Sequence, residues 1–426
     1  MAVNAEALSP GLGVEFEGAL VRSDLLLECF LALVKRNALY LFLAAYWLLR
    51  YGNEGLKTRI VARGSLNPGT LPYNKELLAR LQDERASGRR LWLYTSDYEP
   101  LATAVAQHLE LFDGVITGGR QDGFEWCGSE WRPKGNWLRA TVRALRPHQW
   151  TKNVLVLVPL LAAHQMGDLG ALAAALLAVI AFCLCASSVY VLNDMLDLEA
   201  DRTHVRKSMR PFASGELSLT TGFALVPMLL AGAAAFAAFL PEKFQLSLAA
   251  YYVLTAAYSF ALKRLLLVDT VALAGLYTLR VIAGAEAVSV ALSFWLLLFS
   301  VFLFLSLAFV KRYAELDALR RQQRLQAMGR GYHVEDLSVL QSLGTAAGYL
   351  SVLVLALYIN SPDIQALYHR PKAIWMLCVL MLYWISRMWM TAHRGKMHDD
   401  PVVYALQDRL SLVLGLIAAI TIAIAI

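Results

Sequence analysis

The chain has 426 residues, 58% hydrophobic and 17% charged, with a formal net charge of +6 and a mean hydropathy of +0.49. Soluble globular domains are roughly half apolar and a quarter charged, so the composition excludes a purely soluble protein. It directs the positive charge to an anionic membrane surface and leaves no role for nucleic acid. Cys29, Cys127, Cys183, Cys185 and Cys378 are scattered, three of them in apolar runs, with no CxxC pair, which excludes a disulfide framework. Residues 1–11 lack the charged-then-apolar pattern of a signal peptide.

The first 140 residues have the mixed composition of a soluble α/β domain. A short strand is predicted at 13–17 and a long apolar helical stretch at 22–50. A charged helix follows at 74–88, a strand at Leu91–Thr95, a helix at 99–110 and a strand at 111–117. The run 38–49 (ALYLFLAAYWLL) is about a dozen residues long, too short to span a bilayer, and is expected to be buried or to lie on the membrane surface.

Beyond Trp150 nine candidate spans are predicted, near 152–165, 170–192, 218–240, 245–262, 266–286, 290–310, 343–360, 373–391 and 410–426. The first is short and the fifth carries Arg280. The loops after spans two, four, six and eight hold most of the arginines and lysines, including Arg202, Lys207, Arg210, Lys263, Lys311 and Arg394. By the positive-inside rule those loops and the N-terminal domain are expected on the cytoplasmic side.

The densest chemistry sits where span two meets that face: Asn193-Asp194-Met-Leu-Asp197-Leu-Glu-Ala-Asp201, then His204, Lys207, Arg210 and Pro211. On a helix, steps of three and four residues put Asp194, Asp197 and Asp201 on one face. Three carboxylates on one stripe repel one another and are costly to desolvate at the end of an apolar helix. A divalent cation relieves both costs, and Mg²⁺ commonly bridges a few carboxylates to substrate phosphates. Lys207 and Arg210 are placed to neutralise remaining phosphate charge. The bland reading, a solvated acidic loop, needs neither this spacing nor the membrane boundary.

Other polar groups share the basic face. They are Tyr258-Ser259 with Lys263-Arg264, Asp269 and Arg280; Lys311-Arg312-Tyr313-Ala-Glu315; Arg146-Pro147 through Lys152-Asn153; and His398-Asp399-Asp400-Pro401. Flanking charge explains Arg264, Arg320 and Arg321, and a polar turn is an equal reading of residues 398–401. Arg280, inside an apolar run, requires an anionic partner, either Asp269 or a substrate phosphate.

NDxxDxxxD at the end of span two, the later YSxxLK segment and nine candidate spans resemble the UbiA-type superfamily of membrane prenyltransferases. Finer details are similar to one branch, the decaprenyl-phosphate phosphoribosyltransferase-like enzymes. They are Arg146-Pro147-His-Gln149-Trp150-Thr-Lys152-Asn153, His204, Lys207 and Arg210-Pro211 after the aspartates, Leu279-Arg280-Val-Ile-Ala283-Gly284, and Lys311-Arg312-Tyr313-Ala314-Glu315. The resemblance covers about residues 140–426 and implies an all-α polytopic membrane bundle with a cavity open to the cytoplasm, in a bacterial-type inner membrane. It implies Mg²⁺ on Asp194, Asp197 and Asp201, phosphoribosyl pyrophosphate as donor and a polyprenyl phosphate as acceptor. Lys152, Asn193, Lys207, Arg210, Tyr258, Lys263, Asp269, Arg280 and Lys311 are the expected substrate-binding residues. Aromatic prenyltransferases carry a second DxxxD-like motif after YSxxLK. Here Asp269 is followed by Leu273 where the second acid belongs, which favours phosphoribosyl over prenyl transfer. Transfer of a polyprenyl group from its diphosphate is the alternative reaction, and a transporter is the non-enzyme reading.

The N-terminal residues Gly13-Val-Glu15-Phe-Glu17-Gly18-Ala19-Leu20-Val resemble the opening strand and loop of haloacid-dehalogenase-type (HAD) phosphatases, which read DxDGT. Leu93-Tyr94-Thr95-Ser96-Asp97 resembles their second motif, and Lys134-Gly135 their later lysine. Glutamates replace both aspartates, and one extra methylene misplaces a nucleophile that must attack in line. The expected organisation is therefore a degenerate HAD-like α/β domain at 1–140, not an active phosphatase, and a transmembrane transferase domain at 141–426.

Overall fold

The computed structural model describes residues 11–118, 124–127, 136–204, 206–323, 331–361, 368–397 and 400–426. The proposed HAD lysine at 134 and the pair His398-Asp399 lie outside them. Two compact units emerge: Met1–Arg146 with Tyr190–Met228, and Pro147–Val189 with Leu229–Ile426.

In the first unit, β1 (Leu12–Glu15), β2 (Leu91–Thr95), β3 (Gly114–Thr117) and β4 (Glu125–Cys127) form a parallel sheet in the order β3-β2-β1-β4. A parallel sheet is covered on both faces. Leu12, Val14, Leu91, Leu93 and Val115 accordingly sit in a core with Phe16, Leu20, Leu81, Tyr98 and Val105. Three of these strands were expected; β4, too short to show a period, adds an edge beside β1.

The predicted 22–50 stretch divides into α1 (Leu25–Arg36) and α2 (Tyr40–Arg63). Asn37 separates them with extended backbone, its side-chain oxygen accepting from the Leu39 amide at 2.9 Å. Helix α2 breaks again at Gly52, whose φ of 68° lies in the left-handed region that favours glycine. The charged helix is α3 (Lys75–Ala86), capped by Asn74, and the next is α4 (Glu99–Leu109). A further helix, α5 (Trp137–Leu145), precedes the membrane segments.

Among the described residues, six helical segments are long and apolar enough to cross a membrane: α7 (Leu169–Leu196), α9 (Leu219–Ala237), α11 (Val268–Ala287), α12 (Phe294–Arg321), the segment Val334–Ile359 that contains α13 (Leu337–Ile359), and α14 (Pro371–His393). A bent pair, α15 (Pro401–Gln407) and α16 (Arg409–Ala425), makes a seventh if its 79° bend is one broken span. The protein is an integral membrane protein, with fewer such spans than the nine expected. The first candidate folds as a 3₁₀ run, Pro147–Leu157, and the single-turn α6 (Val158–Ala162). The fourth is helical as α10 (Glu242–Phe260), but Glu242, Lys243, Gln245 and its tyrosines dilute its apolar character. Between α7 and α9 the described residues form the short α8 (Leu198–Arg202) and a 3₁₀ turn at Lys207–Met209.

In the second unit α12 packs against α11 and α13, and α13 against α14, around Tyr277, Phe304, Val310, Leu340 and Trp389. Gly284 of α11 is required by close approach: a Cβ there would stand 2.1 Å from the Val156 carbonyl oxygen. The same contact places the 3₁₀ run beside Arg280.

Candidate active site

In the first unit, α7 delivers Asp194 to a buried position, only 2% exposed. Arg146 donates to Asp194 Oδ1, and Arg210 Nη1 bridges Asp194 Oδ1 at 3.1 Å and Asp201 Oδ2 at 2.5 Å. Arg146 lies over the Tyr190 ring, 5.4 Å from its centre, and burial pulls this guanidinium below the ordinary arginine value while Asp194 opposes the shift. Asp194 Oδ2 is buried and accepts no hydrogen bond. Leaving a buried carboxylate oxygen unpaired costs about 1–3 kcal/mol or more.

Asp197 departs from the expected common face. The helix breaks there (φ −101°, ψ 17°), and Lys35 of α1 takes the Asp197 carboxylate at 3.0 Å. One turn on, Arg202 is clasped bidentately by Glu28 of the same helix at 2.6 and 2.9 Å. Glu28 and Lys35 are two turns apart on α1, so one helix face grips the aspartate segment at its middle, Asp197, and just past its end, Arg202. Asn193 is half-buried, Lys207 is exposed, and His204 Nδ1 accepts from the Arg206 and Lys207 amides, bracing that turn. Among the described residues no three His, Cys, Asp or Glu side chains converge on one ion. The set still fits Mg²⁺ chemically: it is all carboxylate, Asp194 and Asp201 meet at one guanidinium, and Asp194 offers an unpaired oxygen.

The second unit holds two further clusters. Asp400 accepts from Lys152 at 2.9 Å, Lys311 at 3.0 Å and the Tyr277 hydroxyl at 2.8 Å, and caps α15 through the Val402 amide. Arg280, 4% exposed, donates to Asn153 at 2.9 Å, the Tyr251 hydroxyl at 2.8 Å and the Leu276 carbonyl at 2.6 Å. Its guanidinium also lies over the Tyr251 and Tyr277 rings. Asp269 is not its partner. That carboxylate pairs with Arg312 Nε at 2.5 Å and accepts from Tyr332, while Arg312 also reaches Glu315 at 2.5 Å and the Tyr258 hydroxyl at 2.8 Å. Lys263 is half-buried in a 3₁₀ turn after α10.

The UbiA prenyltransferase family matches the chain over residues 154–407. The chain belongs to the UbiA prenyltransferase family. It is 30% identical over 460 residues to the uncharacterized protein y4nM of Sinorhizobium fredii, across 95% of this chain and 89% of that one. It is 39% identical to the nodulation protein NoeC of Azorhizobium caulinodans over 63% of this chain and 88% of that protein. The decaprenyl-phosphate phosphoribosyltransferase of Mycolicibacterium smegmatis is 37% identical over 44% of this chain and 61% of its own length. A UbiA homolog from Archaeoglobus fulgidus bound to GPP and Mg²⁺ shares the fold, with a TM-score of 0.52 at 18% identity over 67% of this chain and 97% of that one.

In this UbiA-family chain the sequence-derived candidates thus assemble by pairs. Asp194, Asp201 and Arg210 come together, as do Lys152 and Lys311 at Asp400, and Tyr258 and Asp269 at Arg312. Arg146, Arg312, Asp400 and Asn153 were visible inside motifs but not singled out as site residues, because only the fold shows which charges they meet. Lys35 and Glu28 carried no signal at all, lying in an apolar helix remote in sequence.

Proposed function

We propose that this UbiA-family protein transfers the phosphoribosyl group of phosphoribosyl pyrophosphate to a polyprenyl phosphate, with Mg²⁺, releasing diphosphate. The observation that carries the reading is the similarity to the mycobacterial decaprenyl-phosphate phosphoribosyltransferase. Asp269 supports it, standing alone and already paired with Arg312 rather than in a second acidic motif. An acceptor phosphate oxygen forms the new bond to the ribose anomeric carbon, and the carbon–oxygen bond to diphosphate breaks with its electrons leaving on oxygen. The acceptor is already anionic, so the chain need supply no general base.

Asp194 and Asp201 would hold the metal, with Asp197 joining once Lys35 releases it. The bound ion supplies positive charge at the departing oxygens. Arg146 and Arg210, freed from the carboxylates, turn their guanidiniums to diphosphate oxygens, for which fixed cations are the main catalytic resource. Asn193, Lys207 and Lys263 are assigned to the donor's polar parts. Lys152, Tyr258, Asp269, Arg280 and Lys311 are assigned to acceptor phosphate and its positioning. The cytoplasmic face of the inner membrane is the side assigned to this chemistry and to the N-terminal domain, a reading that the basic loops support.

Residues 1–140 are read as a degenerate HAD-like domain and 141–426 as the transferase domain. Glu15 ends β1 beside β2, whose last residue is Thr95. Nearby, Lys57 of α2 grips Asp97 at 2.6 Å. Burial pushes Glu17 up to about 7, with Lys57 opposing. Glu15, at the nucleophile position, is one methylene too long for in-line attack, and the role assigned to this domain is to grip the aspartate segment through Glu28 and Lys35.

The test is a transfer assay on purified protein with Mg²⁺, polyprenyl phosphate and labelled phosphoribosyl pyrophosphate. Metal-dependent label in the lipid, lost in Asp194→Ala, is the expected result. No label from this donor, with prenyl transfer from a polyprenyl diphosphate to an aromatic acceptor instead, replaces the proposal with the alternative reaction.

A further inference from the structure

We propose that the first half of α2 is a monotopic membrane anchor whose outer face, centred on Phe42, Tyr46 and Leu49, sits in the lipid interface beside the entry of α7 and α9. Phe42 is 74% exposed, Leu49 88%, Leu39 62% and Tyr46 54%. Steps of three and four residues put Leu39, Phe42, Leu43, Tyr46 and Leu49 on one helix face. A narrow flanking stripe is used by the protein: Ala44 and Trp47 are buried, and Trp47 packs with Cys29, Leu33 and Ile60, while Leu41 and Leu48 beyond that stripe are exposed as well. Among the described residues from 11 to 127, every exposed large hydrophobic side chain falls between Leu39 and Tyr51. A soluble domain scatters such residues singly, and their concentration marks an interaction surface.

Three observations make lipid the occupant. The apolar character stops where the helix breaks at Gly52, after which Asn53, Glu54, Lys57 and Arg59 follow. Basic and aromatic residues frame the patch: Arg36 and Arg50 flank it in sequence, the Arg59 guanidinium lies 3.6 Å from the Tyr51 ring centre, and Arg63 lies 5.1 Å from that of Trp47. Amphipathic tyrosine, tryptophan and arginine are the side chains that suit the headgroup level of a membrane. Third, α1, on which this segment packs, touches the ends of two membrane spans. Phe30 meets Phe223 at the start of α9, with ring centres 6.2 Å apart, and Lys35 meets Asp197 just beyond α7. The bilayer that receives those spans therefore begins beside the patch. A dozen residues cannot cross it, so the helix lies in the plane of the interface.

This anchor is independent of which reaction the enzyme performs. The test uses full-length protein in lipid nanodiscs with Cys127→Ser, carrying a nitroxide at Phe42→Cys, Leu49→Cys or, as control, Gln82→Cys on the polar surface of α3. Collision of each label with oxygen, which concentrates in lipid, is compared with collision with a water-soluble nickel chelate. The expected oxygen-to-nickel ratio at positions 42 and 49 is several-fold above that at 82. A ratio equal to the control places the face in water and overturns the proposal. Low collision with both reagents means that protein, such as a second copy of this chain, covers the face, and overturns it equally.

Discussion

Two buried aspartates of this protein, Asp194 and Asp400, sit among cations in opposite states of completion. Asp400 engages both of its oxygens with two ammonium groups, a phenol and a backbone amide. Asp194 has two arginines on one oxygen and nothing on the other. A saturated buried carboxylate is a structural joint, whereas one that keeps a buried lone pair unpaired stores a cost that a ligand can relieve. The contrast separates an anion that holds Lys152 and Lys311 in place from one left open for a ligand, even though both are acid–base clusters of similar composition.

Substitution at these two positions should split activity from stability. Asp194→Asn is expected to lower phosphoribosyl transfer by ~100-fold or more, since it removes charge from the carboxylate proposed to hold the metal. Its thermal unfolding midpoint in detergent should fall less than that of Asp400→Asn, because Arg210 keeps Asp201 as a partner. A large loss of stability with activity retained would break the distinction. Asp400→Asn is expected to do the reverse first: it leaves Lys152 and Lys311 facing each other without their shared anion, costing about 3–5 kcal/mol. A clear fall in the unfolding midpoint checks this, and an unchanged midpoint would make Asp400 a site residue rather than a joint.

The smallest effect belongs to the N-terminal α/β region, where burial raises Glu17 to about 7 from an ordinary 4.5. A carboxyl with a raised folded value holds its proton longer when folded. Its contribution is therefore complete below about pH 4.5 and is lost as pH rises to about 7. At about 1.4 kcal/mol per pH unit, reduced for partial exposure, the loss is about 2 kcal/mol. Glu17→Gln should flatten this part of the denaturation profile and raise stability above pH 7. A profile identical to wild type would show that Glu17 ionises freely.

Much of the fold was legible locally. The strand Leu91–Thr95 appears where a short β-branched and aromatic run predicts it, and α3 and α4 begin and end within a residue or two of expectation. Strand β4 escaped notice because three residues carry no period. The short first candidate span, 152–165, failed for a related reason: its apolar run suggests a helix, yet its first residues belong to a 3₁₀ run, Pro147–Leu157, pressed against Gly284. At the candidate site, spacing drew attention to Asp194, Asp197 and Asp201, but spacing assumes an unbroken helix, and the break at Asp197 hands that carboxylate to Lys35.

By itself the sequence determined that this is a membrane protein with a mixed α/β segment before its spans, and it marked the aspartate-rich segment as the centre of its chemistry. Hydrophobic runs, periodicity and motif spacing are properties of neighbouring residues, so they survive without a fold. Only the tertiary structure decided which cation each acid meets, that Asp269 belongs to Arg312 and not to Arg280, that one face of α1 grips the aspartate segment, and that α2 leaves its apolar stripe uncovered. Those are contacts between residues tens to hundreds of positions apart, and a charge or an apolar side chain carries no local record of the partner that the packed chain will bring to it.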